Sequence, residues 1–193
     1  VITVNIEGGL PVGIDGEALN PLRILEKLNE IGGENGIGRA DLVETRLVGM
    51  KSRGVYETPA GTILHKALRE LEMLTMDFDT LGMKNQMALK YADIVYAGKW
   101  YTHFRESMDA FMESATSYVT GDVRLALYKG NVVICGRRSP YSLYLEDLAS
   151  FGESSYDHKD ASGFINLYGL ATGVASIVRR KMEADTGPAV SMK

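Results

Sequence analysis

The chain is predicted to be an α+β fold, with mixed or antiparallel strands, several packed helices and a long C-terminal helical arm. Three observations carry this prediction. Period-two alternation marks Ile2, Val4, Ile6 near the start and Val123, Leu125, Leu127 much later. Apolar residues recur at helical spacing in several segments between them and again after Asp157. Strands and helices do not alternate regularly, as a doubly wound parallel sheet requires. The 193 residues, 45% hydrophobic and 24% charged, can bury a core without disulfides or a structural metal. We expect an α+β body over residues 1–155 and a helical oligomerisation arm and tail over 156–193.

Each element has its own local reason. Ile2-Val4-Ile6, then Gly8-Gly9 and Leu10 to Ile14, read as two short strands around a turn, a hairpin near a sheet edge. Asn20 as N-cap and Pro21 at the first helical position open a helix that Leu22, Ile24, Leu25, Leu28 and Ile31 continue and Gly32-Gly33 end. A β-patterned run follows from Asp41 to Val48, with Leu42, Glu44, Arg46 and Val48 on one face. The polar stretch Gly49 to Gly54 reads as a loop that leads to Thr58 and Pro59, the start of a helix. In that helix Ile63, Leu64, Ala67, Leu68, Leu71 and Leu74 form a stripe, with Lys66, Arg69, Glu70 and Glu72 off it. Helices are expected over about Thr80–Ala97 and Tyr101–Val119, with methionines such as Met83, Met87 and Met108 filling core space.

Asp122–Tyr128 and Asn131–Arg137 form a hairpin joined at Lys129-Gly130. Tyr144 to Leu148 is a short helix. A long helical pattern then runs from Asp157 to Ala184, weakened by Gly163, Gly169 and Gly173, to a frayed Gly187-Pro188 end. Its apolar content marks an arm that packs on another subunit or domain.

Composition and missing patterns exclude several functions. The net charge of −4 gives no general cationic field, so no nucleic-acid partner is expected despite Arg137-Arg138 and Arg179-Arg180-Lys181. No run of about 18 apolar residues offers a membrane span. The single cysteine, Cys135, follows the apolar run Val132-Val133-Ile134 and is expected in the core; a reducing, cytoplasmic compartment is the default. Gly49 to Gly54 has the glycine spacing of a P-loop, but Val55 and Tyr56 stand where lysine and Ser/Thr belong. Gly36-Ile37-Gly38 has Asp41 where a dinucleotide fingerprint needs glycine or alanine. His65, His103 and His158 are too scattered for a metal site. The opening Val1-Ile2-Thr3-Val4 has neither initiator methionine nor signal-peptide layout and reads as the interior of a longer protein.

The densest polar cluster is GIGRADLVETRLVGMKSRGVYETPAG, Gly36 to Gly61. Loops at strand ends are where sites are commonly built. A carboxylate such as Glu44, beside Arg46, could hold a substrate ammonium, and the Tyr56 hydroxyl ahead of a helix could orient a polar ligand. The same residues also fit an Arg/Glu ion-pair network that only fixes the loop, with Tyr56 packed on the core.

The run GIGRADLVETRLVGMKSRGVYETPAGTIL, followed in order by LALYKGNVVICGRRSPYSLY and YDHKDASGFINLYGL, resembles the argininosuccinate synthase family over nearly the whole chain. The resemblance implies an ATP-dependent carbon–nitrogen ligase of arginine biosynthesis that joins citrulline to aspartate. The ureido oxygen of citrulline attacks the α-phosphate of ATP, pyrophosphate leaves, and the aspartate amine displaces AMP from the citrullyl-adenylate.

In that family ATP, with Mg2+, and most aspartate contacts belong to an N-terminal ATP-pyrophosphatase-type domain whose SGGLDTS loop is missing from this sequence. The resemblance therefore implies the C-terminal synthetase and multimerisation domain of a cytoplasmic homotetramer, inactive alone. Carried over residue by residue, Glu44 and Tyr56 match positions that contact citrulline, while Arg46, Lys51, Ser52 and Arg53 match the motif in a supporting role. Thr45 departs from the family's usual residue and receives no role. A non-catalytic oligomerisation module without substrate contacts is the competing implication.

Overall fold

The computed structural model describes residues 1–149, 157 and 159–186. It divides into two compact units, Val1–Tyr144 and Leu145–Lys193.

The first unit is built on a five-stranded antiparallel sheet. Its strands are β1 (Ile2–Glu7), β2 (Leu10–Ile14), β3 (Glu17–Ala18), β6 (Gly121–Tyr128) and β7 (Asn131–Arg138), in the order β3-β2-β1-β6-β7. β1 and β2 form the expected hairpin, but β1 lies at the centre of the sheet and not near its edge. Its Ile2, Val4 and Ile6 are buried, and β6 pairs along its other side, with Val4 opposite Val123. That pairing joins residues more than a hundred positions apart, so no local pattern could announce it.

Helix α1 (Pro21–Glu34) starts as its sequence dictates. Asn20 Oδ1 accepts from the Arg23 N–H at 2.9 Å, and Pro21 occupies the first turn. Ile24 and Leu28 are buried whereas Leu22 and Leu25 face solvent. The helix continues through Gly32-Gly33. At Gly32 a Cβ would come within 2.7 Å of the Pro59 Cβ, so the missing side chain lets α1 lie against the start of α2 (Pro59–Thr75).

Ile63, Ala67 and Leu71 of α2 complete one apolar layer with Ile24 and Leu28 over the sheet residues Val4, Ile14, Val123 and Leu125. Fully burying one of these valine, leucine or isoleucine side chains contributes about 1.5–3 kcal/mol. Contrary to the sequence expectation, Glu70 and Glu72 are also buried. Glu70 accepts from Arg137 on β7 and lies 3.6 Å from Lys66, and Glu72 pairs with Lys84 at 2.6 Å. Paired cations on neighbouring elements make burial of these carboxylates tolerable.

Helices α3 (Phe78–Tyr96) and α4 (His103–Thr116) form a pair capped by Asp77 and Thr102. Tyr91 Oη donates to Asp109 at 2.7 Å, Arg105 pairs with the same carboxylate, and the Arg105 guanidinium stacks over Trp100. Met108 is buried as expected, but Met83 is half exposed because α3 buries only Ile94.

The β6–β7 hairpin turns through Lys129 and Gly130, both at positive φ, as a two-residue hairpin loop requires. Cys135 is not in the core. The register steps from Arg124–Gly136 to Leu125–Ile134, which leaves Cys135 as the unpaired residue of a bulge on the edge strand, exposed to solvent.

The second unit holds α5 (Glu146–Ala149), α6 (Asp160–Tyr168) and α7 (Leu170–Thr186). The single long helix expected from Asp157 to Ala184 is broken at Gly169, where α6 and α7 bend by 43°. Phe164, Ile165, Leu167, Tyr168, Val174 and Ile177 are exposed along them. No single helix among the described residues is long and apolar enough to cross a membrane; α6 and α7 reach that length only as a bent pair. His158 and the Gly187-Pro188 end lie outside the described residues.

Candidate functional site

The polar cluster from Gly36 to Gly61 folds as a separate two-stranded sheet, β4 (Arg39–Thr45) and β5 (Lys51–Glu57). The register runs from Arg39–Glu57 to Thr45–Lys51. The stretch expected as a polar loop is therefore a tight turn followed by most of a strand. The Arg46 N–H donates to the Met50 carbonyl at 2.8 Å, and the Gly49 N–H to the Arg46 carbonyl at 2.7 Å. The reason for the misreading is physical. Neither face of this hairpin is buried in the core, so β5 carries the polar residues of a loop while keeping strand geometry.

Pairing assigns the faces. Ala40, Leu42, Glu44, Ser52, Gly54 and Tyr56 share one side; Asp41, Val43, Arg53 and Val55 share the other. On the second side Arg53 clamps Asp41 through two hydrogen bonds, Nε to Oδ1 at 2.8 Å and a terminal nitrogen to Oδ2 at 2.6 Å. The Arg53 guanidinium holds the Asp41 carboxyl below its ordinary pKa. This bidentate pair joins directly adjoining strands and fixes their register.

On the first side the two sequence-predicted site residues meet. Tyr56 Oη donates to Glu44 Oε1 at 2.8 Å, and Ser52 Oγ lies 3.5 Å from the same oxygen. Among the described residues nothing donates to Glu44 Oε2. The bond to Glu44 raises the Tyr56 pKa, helped by burial and by the Glu44 charge, with Arg46 acting in the opposite direction. Tyr56 therefore stays a neutral phenol and a donor at physiological pH. The pair presents one negative charge and a fixed hydroxyl on an open face, an arrangement able to receive an ammonium or amide donor.

Arg46 is not beside Glu44 on the strand; it belongs to the turn beyond β4, and its N–H is engaged there. Among the described residues Arg46 forms no ion pair with Glu44, the ion pair of the hairpin being Arg53–Asp41, and Tyr56, 41% exposed, is not packed into the core. Lys51 donates to Thr45 across the turn end of the hairpin. Tyr96, at the end of α3, lies near enough to Tyr56 to influence the ionisation of its phenol at high pH, a proximity that nothing in the local pattern of either segment signals.

A cleft of about 750 Å3 lies elsewhere on the first unit, lined by residues that include Met73, Arg137, Arg138 and Tyr144 but neither Glu44 nor Tyr56. Among the described residues no group of three or more His, Cys, Asp or Glu side chains is placed to hold a metal ion.

Residues 1–175 match the family described as arginosuccinate synthase C-terminal domain. The chain is 56% identical over 180 residues to "Argininosuccinate synthase, chloroplastic" of Arabidopsis thaliana, covering 93% of this chain and 36% of that protein. It is 52% identical over 181 residues to "Argininosuccinate synthase" of Moorella thermoacetica, covering 93% of this chain and 44% of the relative. The corresponding protein of Caldanaerobacter subterraneus is 51% identical over 190 residues, 96% of this chain and 46% of the relative. The chain spans less than half the length of these curated relatives. Continuous identity above one half across nearly all of its sequence places the chain in the argininosuccinate synthase family, as that family's C-terminal domain.

Proposed function

We propose that this chain supplies the Glu44–Tyr56 portion of the citrulline site of an argininosuccinate synthase and also takes part in its assembly. The single observation that carries the reading is the 2.8 Å hydrogen bond from Tyr56 Oη to Glu44 Oε1 on an open sheet face. Glu44 accepts from the amino end of citrulline, through the oxygen that Tyr56 leaves unengaged, and Tyr56 hydrogen-bonds the same ligand. Holding citrulline in one orientation lowers the entropy cost of bringing its ureido oxygen to the α-phosphate of ATP. That attack forms a new O–P bond as pyrophosphate leaves, and the aspartate amine then displaces AMP.

The chain spans less than half the length of its curated relatives, and ATP, its Mg2+ and most aspartate contacts are assigned to the remainder of the synthase. The chain alone is expected to release no pyrophosphate. The reaction is assigned to the cytoplasm.

An assembly role has its own supporting observation. Helices α6 and α7 leave Phe164, Ile165, Leu167, Tyr168, Val174 and Ile177 exposed, far more apolar surface than a solvated arm needs. We assign this arm to contacts with other copies in a homotetramer. The two roles separate in the complete synthase. Glu44→Ala and Tyr56→Phe should raise the citrulline KM or reduce turnover while the tetramer persists; unchanged kinetics in both would sink the citrulline site and leave assembly as the domain's function.

A further inference from the structure

We infer that Gly54 is a positioning residue for the citrulline site: its missing side chain leaves the lane along which the Tyr56 ring lies to reach Glu44. The inference rests on the citrulline reading of Glu44 and Tyr56 given above.

The geometry demands such a lane. Tyr56 is paired with Ala40, and Glu44 is paired with Ser52, so the two site residues stand four positions apart along the hairpin. At strand rise that separation is about 13 Å. Side chains that stood upright from the sheet, as strand residues ordinarily do, could not touch over that distance. Tyr56 and Glu44 must lean toward each other along the face, above the Leu42–Gly54 pair between them.

At Gly54 a Cβ would lie 2.4 Å from Tyr56 Cε2, 2.4 Å from its Oη and 2.5 Å from Cζ. The ring therefore rests directly on the Gly54 backbone. The glycine is not required for backbone freedom, since Gly54 is not among the positive-φ residues. It is required for space. Alanine at this position fits the strand but displaces the ring, and with the ring goes the hydroxyl that orders Glu44. The Arg53–Asp41 clamp on the opposite face holds β5 in register, so the strand cannot shift to relieve the contact.

The test is a double-mutant cycle in the complete synthase, reading citrulline KM, ATP KM and kcat separately. Gly54→Ala is expected to raise the citrulline KM about tenfold or more, as loss of a hydrogen bond to a charged group would, with ATP KM within about twofold of the parent. In a Tyr56→Ala background the same substitution should add less than about twofold, because the ring it displaces is gone. An unchanged citrulline KM in Gly54→Ala, while Tyr56→Ala raises it, overturns the positioning role and leaves the site reading intact. A further loss in the double variant equal to the single loss also overturns it, since Gly54 would then act through the backbone. If Tyr56→Ala itself changes nothing, the site reading fails and this inference falls with it. Should Gly54→Ala not fold, folding of the Gly54→Ala/Tyr56→Ala pair supports the inference, and failure of both overturns it.

Discussion

The tie between α2 and α3 is the most informative place to perturb this domain. Lys84 of α3 sits 2.6 Å from Glu72 Oε1 of α2, with side-chain exposures of 15% and 4%. The contact is short, yet Glu72 Oε1 lacks an aligned hydrogen-bond donor, so attraction between charges dominates it. Replacing Lys84 with methionine keeps the stem and removes the charge, which leaves a carboxylate stranded out of water. Breaking one partner of a buried pair costs about 3–5 kcal/mol, and the residual exposure of Lys84 places this case at the lower end, about 3 kcal/mol. With a urea slope of about 1.5–2 kcal/mol per molar, the midpoint should fall by about 1.5–2 M.

Urea unfolding followed by circular dichroism reads this directly, and the slope must stay constant for the shift to be a stability change. The double variant Glu72→Leu/Lys84→Met should recover most of the loss, because two apolar groups replace the pair. A Lys84→Met loss below about 0.5 kcal/mol, the value of an exposed pair, would refute the reasoning by showing that Glu72 is effectively solvated.

Two further outcomes follow from protonation. The Asp77 carboxylate accepts from the Thr80 and Asp79 N–H groups at 2.9 and 3.0 Å, and its pKa is lowered chiefly by the Thr80 side chain and then by the Thr80 N–H. A depressed native pKa means the cap stabilises α3 above the ordinary carboxylate range and loses that effect as pH falls through the native value; Asp77→Ala should therefore lower the thermal midpoint at pH 7, with the difference from the parent closing in strong acid, whereas a pH-independent difference would contradict it. Tyr56 and Tyr91 have raised pKa values, chiefly through bonds to Glu44 and Asp109, so spectrophotometric titration of the ten tyrosines should show a late-ionising component that Glu44→Gln diminishes, and a titration curve unchanged by that substitution would count against the Tyr56–Glu44 bond.

Much of the fold was legible because its signals are local. Asn20-Pro21 starts α1, Pro59 occupies the first turn of α2 although Thr58, the expected N-cap, makes no side-chain cap bond, and Lys129-Gly130 turns the second hairpin, each position set within a few residues. The errors arose where distant packing decided the outcome. Burial of Glu70 and Glu72 depends on Arg137 and Lys84, which no helical periodicity in α2 can foresee. Cys135 sits in an apolar run yet faces solvent because a bulge on β7 leaves it unpaired. The break at Gly169 was signalled by the glycine itself, but whether a weak point bends or holds depends on what the helix packs against.

For the site the division is sharper. Sequence by itself singled out Glu44 and Tyr56 as the candidate site residues and determined which family the chain resembles, because functional-group identity and motif order survive without coordinates. It could not show that the two meet. Read one-dimensionally, Glu44 belonged to a strand and Tyr56 to the approach to a helix, with a loop between them. Only strand pairing in three dimensions turned that loop into β5, brought a hydroxyl to a carboxylate twelve residues away and gave Gly54 a purpose. Backbone pairing fixes such contacts across the sheet, and side-chain patterns can report pairing only when one face is buried; here both faces are open.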